Sequence, residues 1–231
     1  MSAPSPGSRR CCATCSIPAF PGSGTRENWP GDRASPWTSS LARPWWRPAS
    51  SGISPRIQAL SELCDIVEHL HSRNIVHNDL KLENVLWRTT GGVVLVDFGN
   101  VRRLGPVREI TSMFLREPPR AFNTATYVAP ELLTGGKATC ASDVYALGVC
   151  AFLVLTGQPP FTDKTQSAKL RAHATATPPA IRGRIPTLPA AQAQVMDACL
   201  AKFASARPTA RDLASAVRSL VRKIAPSLAA G

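Results

Sequence analysis

Apolar residues along this chain follow more than one period, and each period predicts a different element. From Arg56 onward, Ile57, Leu60, Leu63, Cys64, Val67 and Leu70 share one stripe at helical spacing, which predicts an amphipathic helix ending near Asn74. Val85-Leu86-Trp87 and Val93 to Phe98 are short runs rich in β-branched and aromatic residues. Gly91-Gly92 between them tolerates positive φ, so the pair predicts a tight hairpin with Asn84 and Asp97 at neighbouring ends. Ser142 to Thr156 is apolar on nearly every face and is stopped by Gly157 and two prolines, which predicts a buried helix. Ala191 to Phe203 and Thr209 to Ile224 have the stripe of two amphipathic closing helices, and no internal repeat is present.

Residues 1–55 have no such period. They carry nine prolines and four of the five tryptophans, and Arg43-Pro44-Trp45-Trp46-Arg47-Pro48 reads as irregular extended chain. The expected organisation is therefore an irregular or disordered segment over 1–55, a folded region over 56–224 and a tail over 225–231. Tryptophan is unusual in disordered sequence, so the first segment is either a short partner-binding stretch or the product of a misread gene start. The abrupt change in composition favours the second.

Composition narrows the classes further. A chain of 231 residues can bury a sizeable core. The longest apolar run, Val144 to Leu155, is shorter than the ~20 residues that cross a bilayer. Near the N-terminus, Pro18 and Pro21 follow Cys11, Cys12 and Cys15, leaving no continuous signal-peptide core. The expected location is cytoplasmic, with no membrane partner. Seven cysteines are scattered, and Cys64, Cys140, Cys150 and Cys199 fall at or beside apolar helix positions, as reduced and mostly buried thiols do. Cys12 and Cys15 have C-x-x-C spacing without the second ligand pair that structural zinc needs. The net charge of +12 comes from dispersed arginines with no basic helix or stacking aromatics, which predicts general attraction to acidic partners and no specific nucleic-acid site.

Three motifs carry the chemistry. His77-Asn78-Asp79-Leu80-Lys81-Leu82-Glu83-Asn84 has the form H-x-D-L-x-x-x-N, Asp97-Phe98-Gly99 follows after the hairpin, and Ala129-Pro130-Glu131 follows in turn. In that order they resemble the catalytic half of the eukaryotic-type serine/threonine protein kinase family, the C-lobe alone, over about residues 56–224. The resemblance implies a mainly α fold, a kinase-like C-lobe that is helical with a small β-hairpin at the catalytic and metal-binding loops. Asp79 matches the aspartate that accepts or orients the substrate hydroxyl proton, and Lys81 the lysine beside the transferring phosphate. Asn84 and Asp97 match the oxygen donors for Mg²⁺, and Leu86 the apolar floor beneath the adenine of ATP. His77 and Phe98 resemble packing residues behind the site. Glu131 and Arg207 resemble a buried ion pair tying the A-P-E segment to the last helices, and Asp143 the aspartate that bonds the catalytic-loop backbone. Thr124, with Lys81, implies transfer to protein Ser or Thr.

Departures from the family pattern matter as much. Asn123 stands where a glycine is usual, and Asn78 replaces the arginine that would grip a phosphate on the activation loop. Control through Thr111 or Ser112 by that route is therefore not expected. Residues 1–80 contain no lysine, and Gly22-Ser23-Gly24 lacks a third glycine at Glu27, so neither the phosphate-pairing lysine nor the Gly-rich loop of an N-lobe is recognisable. The expectation is a truncated Ser/Thr kinase, weak or inactive alone, that acts on a protein substrate with ATP and Mg²⁺. The alternative is a pseudokinase or C-lobe interaction scaffold that meets a docking partner without catalysis.

Overall fold

The computed structural model describes residues 53–88, 91–105 and 125–228. Of the irregular segment anticipated over 1–55, residues 1–52, with Cys11, Cys12 and Cys15, lie outside them, as do Thr111, Ser112, Asn123 and Thr124, whereas Ile53, Ser54 and Pro55 form the start of the first helix and not irregular chain. Helix α1 spans Ile53–His71 and is followed by the two-residue strand β1, Ile75–Val76. Strands β2 (Val85–Trp87) and β3 (Val93–Leu95) come next, then β4 (Arg102–Arg103). The remaining helices are α2 (Pro130–Leu133), α3 (Cys140–Thr156), α4 (Gln166–Thr175), α5 (Ala190–Cys199) and α6 (Ala210–Leu228).

The α1 stripe buries as its spacing requires: Ile57, Leu60, Leu63, Cys64 and Val67 are all buried, and each large side chain of this kind contributes ~1.5–3 kcal/mol on burial. It packs mainly against α6 and α3. From α6, Leu213, Ala214, Val217 and Leu220 enter the same core. Asp65 pairs with Arg218, and Glu68 with Arg211 at 2.7 Å, along the rim of that contact. Helix α3 is the central element, buried along almost its whole length. Gly148 allows its closest approach, because a Cβ there would sit 2.6 Å from the Cβ of Cys199 on α5.

Helix ends follow local chemistry. Helix α3 closes on Gly157 at φ 75°, and α6 opens on a reciprocal cap in which Thr209 N–H donates to Asp212 Oδ2 (2.9 Å) while Asp212 N–H donates to Thr209 Oγ1 (3.2 Å). That cap starts α6 at Ala210, one residue inside the predicted Thr209, and the helix runs on to Leu228. Helix α5 stops at Cys199, four residues short of the predicted Phe203; Phe203 is exposed and heads a separate 3-10 turn. Helix α1 ends at His71, and a turn carries the chain to Asn74 at φ 58°. Helix α4 has no counterpart in the apolar pattern, since only Ala172 and His173 of its residues are buried.

Two small antiparallel sheets form among the described residues. One is the anticipated hairpin, with Val85 opposite Leu95 and Trp87 opposite Val93. Its second strand is shorter than the predicted Val93 to Phe98 run: regular pairing ends at Leu95, because Asp97 takes the left-handed conformation and Phe98–Asn100 form a 3-10 turn. The other sheet, β1 with β4, pairs Ile75 with Arg103 and Val76 with Arg102 and was not legible as a pattern. It joins the chain just before His77 to the chain just after Asn100. Free Cys64, Cys150 and Cys199 lie in the core, where burial pushes their thiols up, that of Cys199 to about 12. None of the helices among the described residues is long and apolar enough to cross a membrane.

Candidate active site

Alternation builds the catalytic loop. Between Asn78, at positive φ, and the 3-10 turn Leu82–Asn84, burial alternates: Leu80 and Leu82 turn into the core, 3% and 0% exposed, with Lys81 extended between them. The residues between and beside them then face the other way. Asp79 and Lys81, two apart, are brought together on that outer side: Lys81 Nζ lies 2.8 Å from Asp79 Oδ2, both side chains partly buried. The pair is a charged donor beside an acceptor, the arrangement that can hold a hydroxyl group and a developing negative charge side by side.

Asn84 ends the 3-10 turn that closes the loop. Its Nδ2 donates to the Asp79 carbonyl at 3.0 Å, which leaves Oδ1 as the remaining acceptor of a buried amide. Its own carbonyl accepts Val96 N–H at 2.9 Å, so Asn84 is tied to the residue before Asp97. Asp97 is exposed at φ 64° and ψ 68°, a conformation that Asp and Asn adopt more readily than most residues. Two oxygen donors at neighbouring ends of a hairpin fit Mg²⁺, which takes few protein ligands and keeps several waters. No cluster of three or more His, Cys, Asp or Glu side chains suited to a metal occurs among the described residues.

The loop hangs from α3. Asp143, in the first turn of that helix and 1% exposed, accepts His77 N–H on Oδ2 (2.8 Å) and Asn78 N–H on Oδ1 (2.9 Å). His71 Nε2, at the last residue of α1, lies 3.0 Å from the same Oδ2. The N-terminal end of the α3 dipole adds to the stabilisation of that buried charge. Asn78 is held at φ 63°, and its Nδ2 reaches the Asn100 carbonyl at 3.4 Å. The residue that departs from the family pattern thus makes a neutral bridge from the catalytic loop to the turn after Asp97.

His77 is fully buried, and its ring meets that of Phe98 edge-on with centroids 5.0 Å apart. Burial lowers its pKa, against an opposing pull from Asp143 and Asp79. The nearby Val96 backbone also favours the charged ring, yet neither ring nitrogen completes a hydrogen bond. Phe98 is 48% exposed. Leu86 and Trp87 on β2 are exposed as well.

Arg207 and Glu131 form a two-pronged clamp, Nη2 to Oε2 at 2.7 Å and Nη1 to Oε1 at 2.9 Å. Arg207 also donates to the carbonyls of Ala201, Ala141 and Lys202 and lies over the Tyr145 ring. Ser142 Oγ donates to Glu131 Oε1 (2.7 Å). Burial would raise the Glu131 pKa, but the bonds from Arg207 and Ser142 outweigh it and hold the carboxyl below its ordinary value. Gly136 closes the turn after α2, where a Cβ would lie 2.6 Å from the Glu131 carbonyl oxygen.

The structure therefore brings Asp79, Lys81, Asn84 and Asp97 to one end of the hairpin, with Asp143 behind the loop and the Arg207 clamp at the other side of the α3 N-terminus. Thr124 lies outside the described residues. Three contributors carried no motif: His71, Glu62, which accepts Val93 N–H on Oε2 at 2.9 Å and fastens the hairpin to α1, and Asn100. A polar residue in the final turn of an apolar-striped helix was the sole trace of His71.

Residues 54–217 match the family model described as the protein kinase domain. Among curated relatives, the probable serine/threonine-protein kinase PknB of Lactococcus lactis is 33% identical over 146 residues, which is 63% of this chain and 22% of that protein. The DNA damage-responsive serine/threonine-protein kinase RqkA of Deinococcus radiodurans is 37% identical over 142 residues, 62% of this chain and 20% of its own length. Serine/threonine-protein kinase PkaA of Streptomyces coelicolor is 34% identical over 177 residues, 74% of this chain and 31% of the relative. The chain thus spans between a fifth and a third of the length of these relatives. With the loop, the hairpin and the α3 anchors assembled around the three motifs, and a family match over well more than half its length, the chain belongs to the protein kinase family, serine/threonine type.

Proposed function

We propose that residues 56–224 are the substrate-side catalytic half of a cytoplasmic Ser/Thr protein kinase, transferring the γ-phosphate of ATP to Ser or Thr hydroxyls of a protein. The observation that carries this reading is the Asp79–Lys81 pair at 2.8 Å. Asp79 orients the substrate hydroxyl and takes up its proton as the phosphoryl group leaves; Lys81 offsets negative charge on the group in transfer. Asn84 Oδ1 and the Asp97 carboxylate would hold Mg²⁺, which, when bound, neutralises charge on the ATP phosphates. Leu86 offers an apolar contact for adenine, and Thr124 contributes to the choice of a hydroxyl acceptor.

Phosphoryl transfer depends on positioning and charge stabilisation, and residues 1–80 supply no lysine for the nucleotide phosphates. This chain alone is therefore a weak or inactive enzyme. The same observation, with Leu86, Trp87 and Phe98 exposed, favours a second reading, a scaffold that docks a protein partner without catalysis. Calorimetric titration with ATP and Mg²⁺, followed by phosphate transfer to a Ser/Thr peptide pool, separates the two. Binding with slow transfer that Asp79→Asn abolishes supports the kinase reading. No binding at millimolar ATP leaves the scaffold.

A further inference from the structure

We infer that His71 is a positioning residue of the catalytic loop, acting through Asp143; the catalytic label rests on the reading of Asp79 given above. Asp143 has two carboxylate oxygens and three donors. Oδ1 receives Asn78 N–H, while Oδ2 is shared by His77 N–H and His71 Nε2. Because a carboxylate accepts, Nε2 of His71 carries the proton, and that bond sets the tautomer of the ring.

The third donor does something the first two cannot. Two amides on adjacent residues hold the carboxylate from the loop side only, so its side chain can still turn about the α3 backbone and carry the loop with it. His71 approaches from α1, an element fixed in the core by Ile57, Leu60, Leu63 and Val67. It pins Oδ2 to a rigid helix and gives each oxygen a separate amide to hold. Asn78 must also be kept at φ 63°, a conformation that persists only when its surroundings over-determine it. The Asp143 bond to its N–H and the 3.4 Å reach to Asn100 are what hold it there. Asp79 follows directly, so freedom at His77 and Asn78 passes to the Asp79–Lys81 pair.

His71 also lines a cavity of about 480 Å³ with Glu68, Cys140, Val144, Arg207 and Arg211. A replacement side chain at position 71 has room there, and loss of the hydrogen bond can be separated from loss of packing.

The test is amide hydrogen exchange by NMR on this chain, with His71→Phe, which keeps a ring but cannot donate, and His71→Gln, which can. Removing one shared bond is expected to accelerate exchange at His77 and Asn78 by ~10-fold in the Phe variant, with the α3 amides unchanged. Gln is expected to restore protection. If the Phe variant fails to fold, His71→Ala, whose void opens into the existing cavity, takes its place. Equal acceleration by both variants, acceleration spread evenly over α1 and α3, or no change at His77 and Asn78 would overturn the inference. The readout needs no turnover, so absence of phosphate transfer would count against the kinase reading and leave this one standing.

Discussion

Glu131 and Asp143 are both drawn out of water beside the first turn of α3, and they are satisfied by opposite kinds of donor. Glu131 is gripped by a guanidinium whose side chain is fully buried, at 2.7 and 2.9 Å. Asp143 receives two backbone N–H groups and one imidazole. The neighbours Ser142 and Asp143 divide the work, one reaching Glu131 and the other the catalytic loop. A charged clamp is strong and reads only the shape of its partner, which suits an anchor between distant segments. Backbone amides bonded to a fixed carboxylate specify the path of the chain itself, which suits a loop whose next residue must be aimed. The same helix end thus offers strength on one side and orientation on the other.

Breaking the clamp is expected to have the largest effect. Arg207→Ala leaves Glu131 partly buried without its counter-charge and removes the Arg207 bonds to three carbonyls, at a cost of ~3–5 kcal/mol. Urea unfolding measures it; a loss under 1 kcal/mol would mean the clamp is no stronger than an exposed pair. Asp143→Asn comes next. The amide keeps one acceptor and turns a second donor toward groups that donate, for a loss of ~2–4 kcal/mol. The comparison predicts a further difference: Asp143→Asn disturbs the His77 and Asn78 amide resonances, whereas Arg207→Ala lowers stability with those resonances little moved. Equal disturbance by both would erase the distinction between the two anchors.

Much of this arrangement was legible in the chain and some was not, and the division has a physical cause. The α1 stripe, the buried α3 and the hairpin arise from apolar spacing, which is a local property. Asp79, Lys81, Asn84, Asp97 and Glu131 stood out through the three motifs, and Asp143 and Arg207 through the family resemblance alone, since nothing in their spacing states that residue 143 reaches residues 77 and 78. The β1–β4 pairing was hidden because two-residue strands have no period, and the left-handed turn at Asp97 cut β3 short where its side chains still read as strand. Helix α4 was hidden because its burial rests on Ala172 and His173 alone. His71 and Glu62 looked like ordinary polar residues on a helix; their use depends on where the helix lies.

Acid separates neutral from charged anchoring. His173 is buried and accepts the Tyr145 hydroxyl on Nδ1 at 2.8 Å. Burial, helped by Lys202, pushes its pKa down to about 4. The unfolded chain binds a proton near the ordinary imidazole value of ~6.5 and the folded chain does not, so stability falls as pH drops through that interval, by up to ~3 kcal/mol at pH 4. The pKa of His77, also lowered mainly by burial, acts in the same direction. Glu131 acts in the same direction over a lower pH range: its pKa lies below the ordinary carboxyl value, so its contribution is full above that value and is lost only as pH falls through the lower one. Thermal melts from pH 7 to pH 4 should therefore show a first loss that His173→Gln reduces and Arg207→Ala does not.

The smallest effect expected is at Ser142, and it bears most directly on the division of work at α3. Its hydroxyl accepts Thr139 N–H at 3.1 Å while donating to Glu131, so it caps the helix and supports the clamp at once. Ser142→Ala removes both bonds and is expected to cost ~1 kcal/mol, the ordinary range for a lost cap. The combination with Arg207→Ala is the informative measurement. If Ser142 acts chiefly on Glu131, the double variant loses less than the sum of the two single losses, because the clamp it supports is already gone. If it acts chiefly as the cap, the losses add, and Glu131 depends on Arg207 alone.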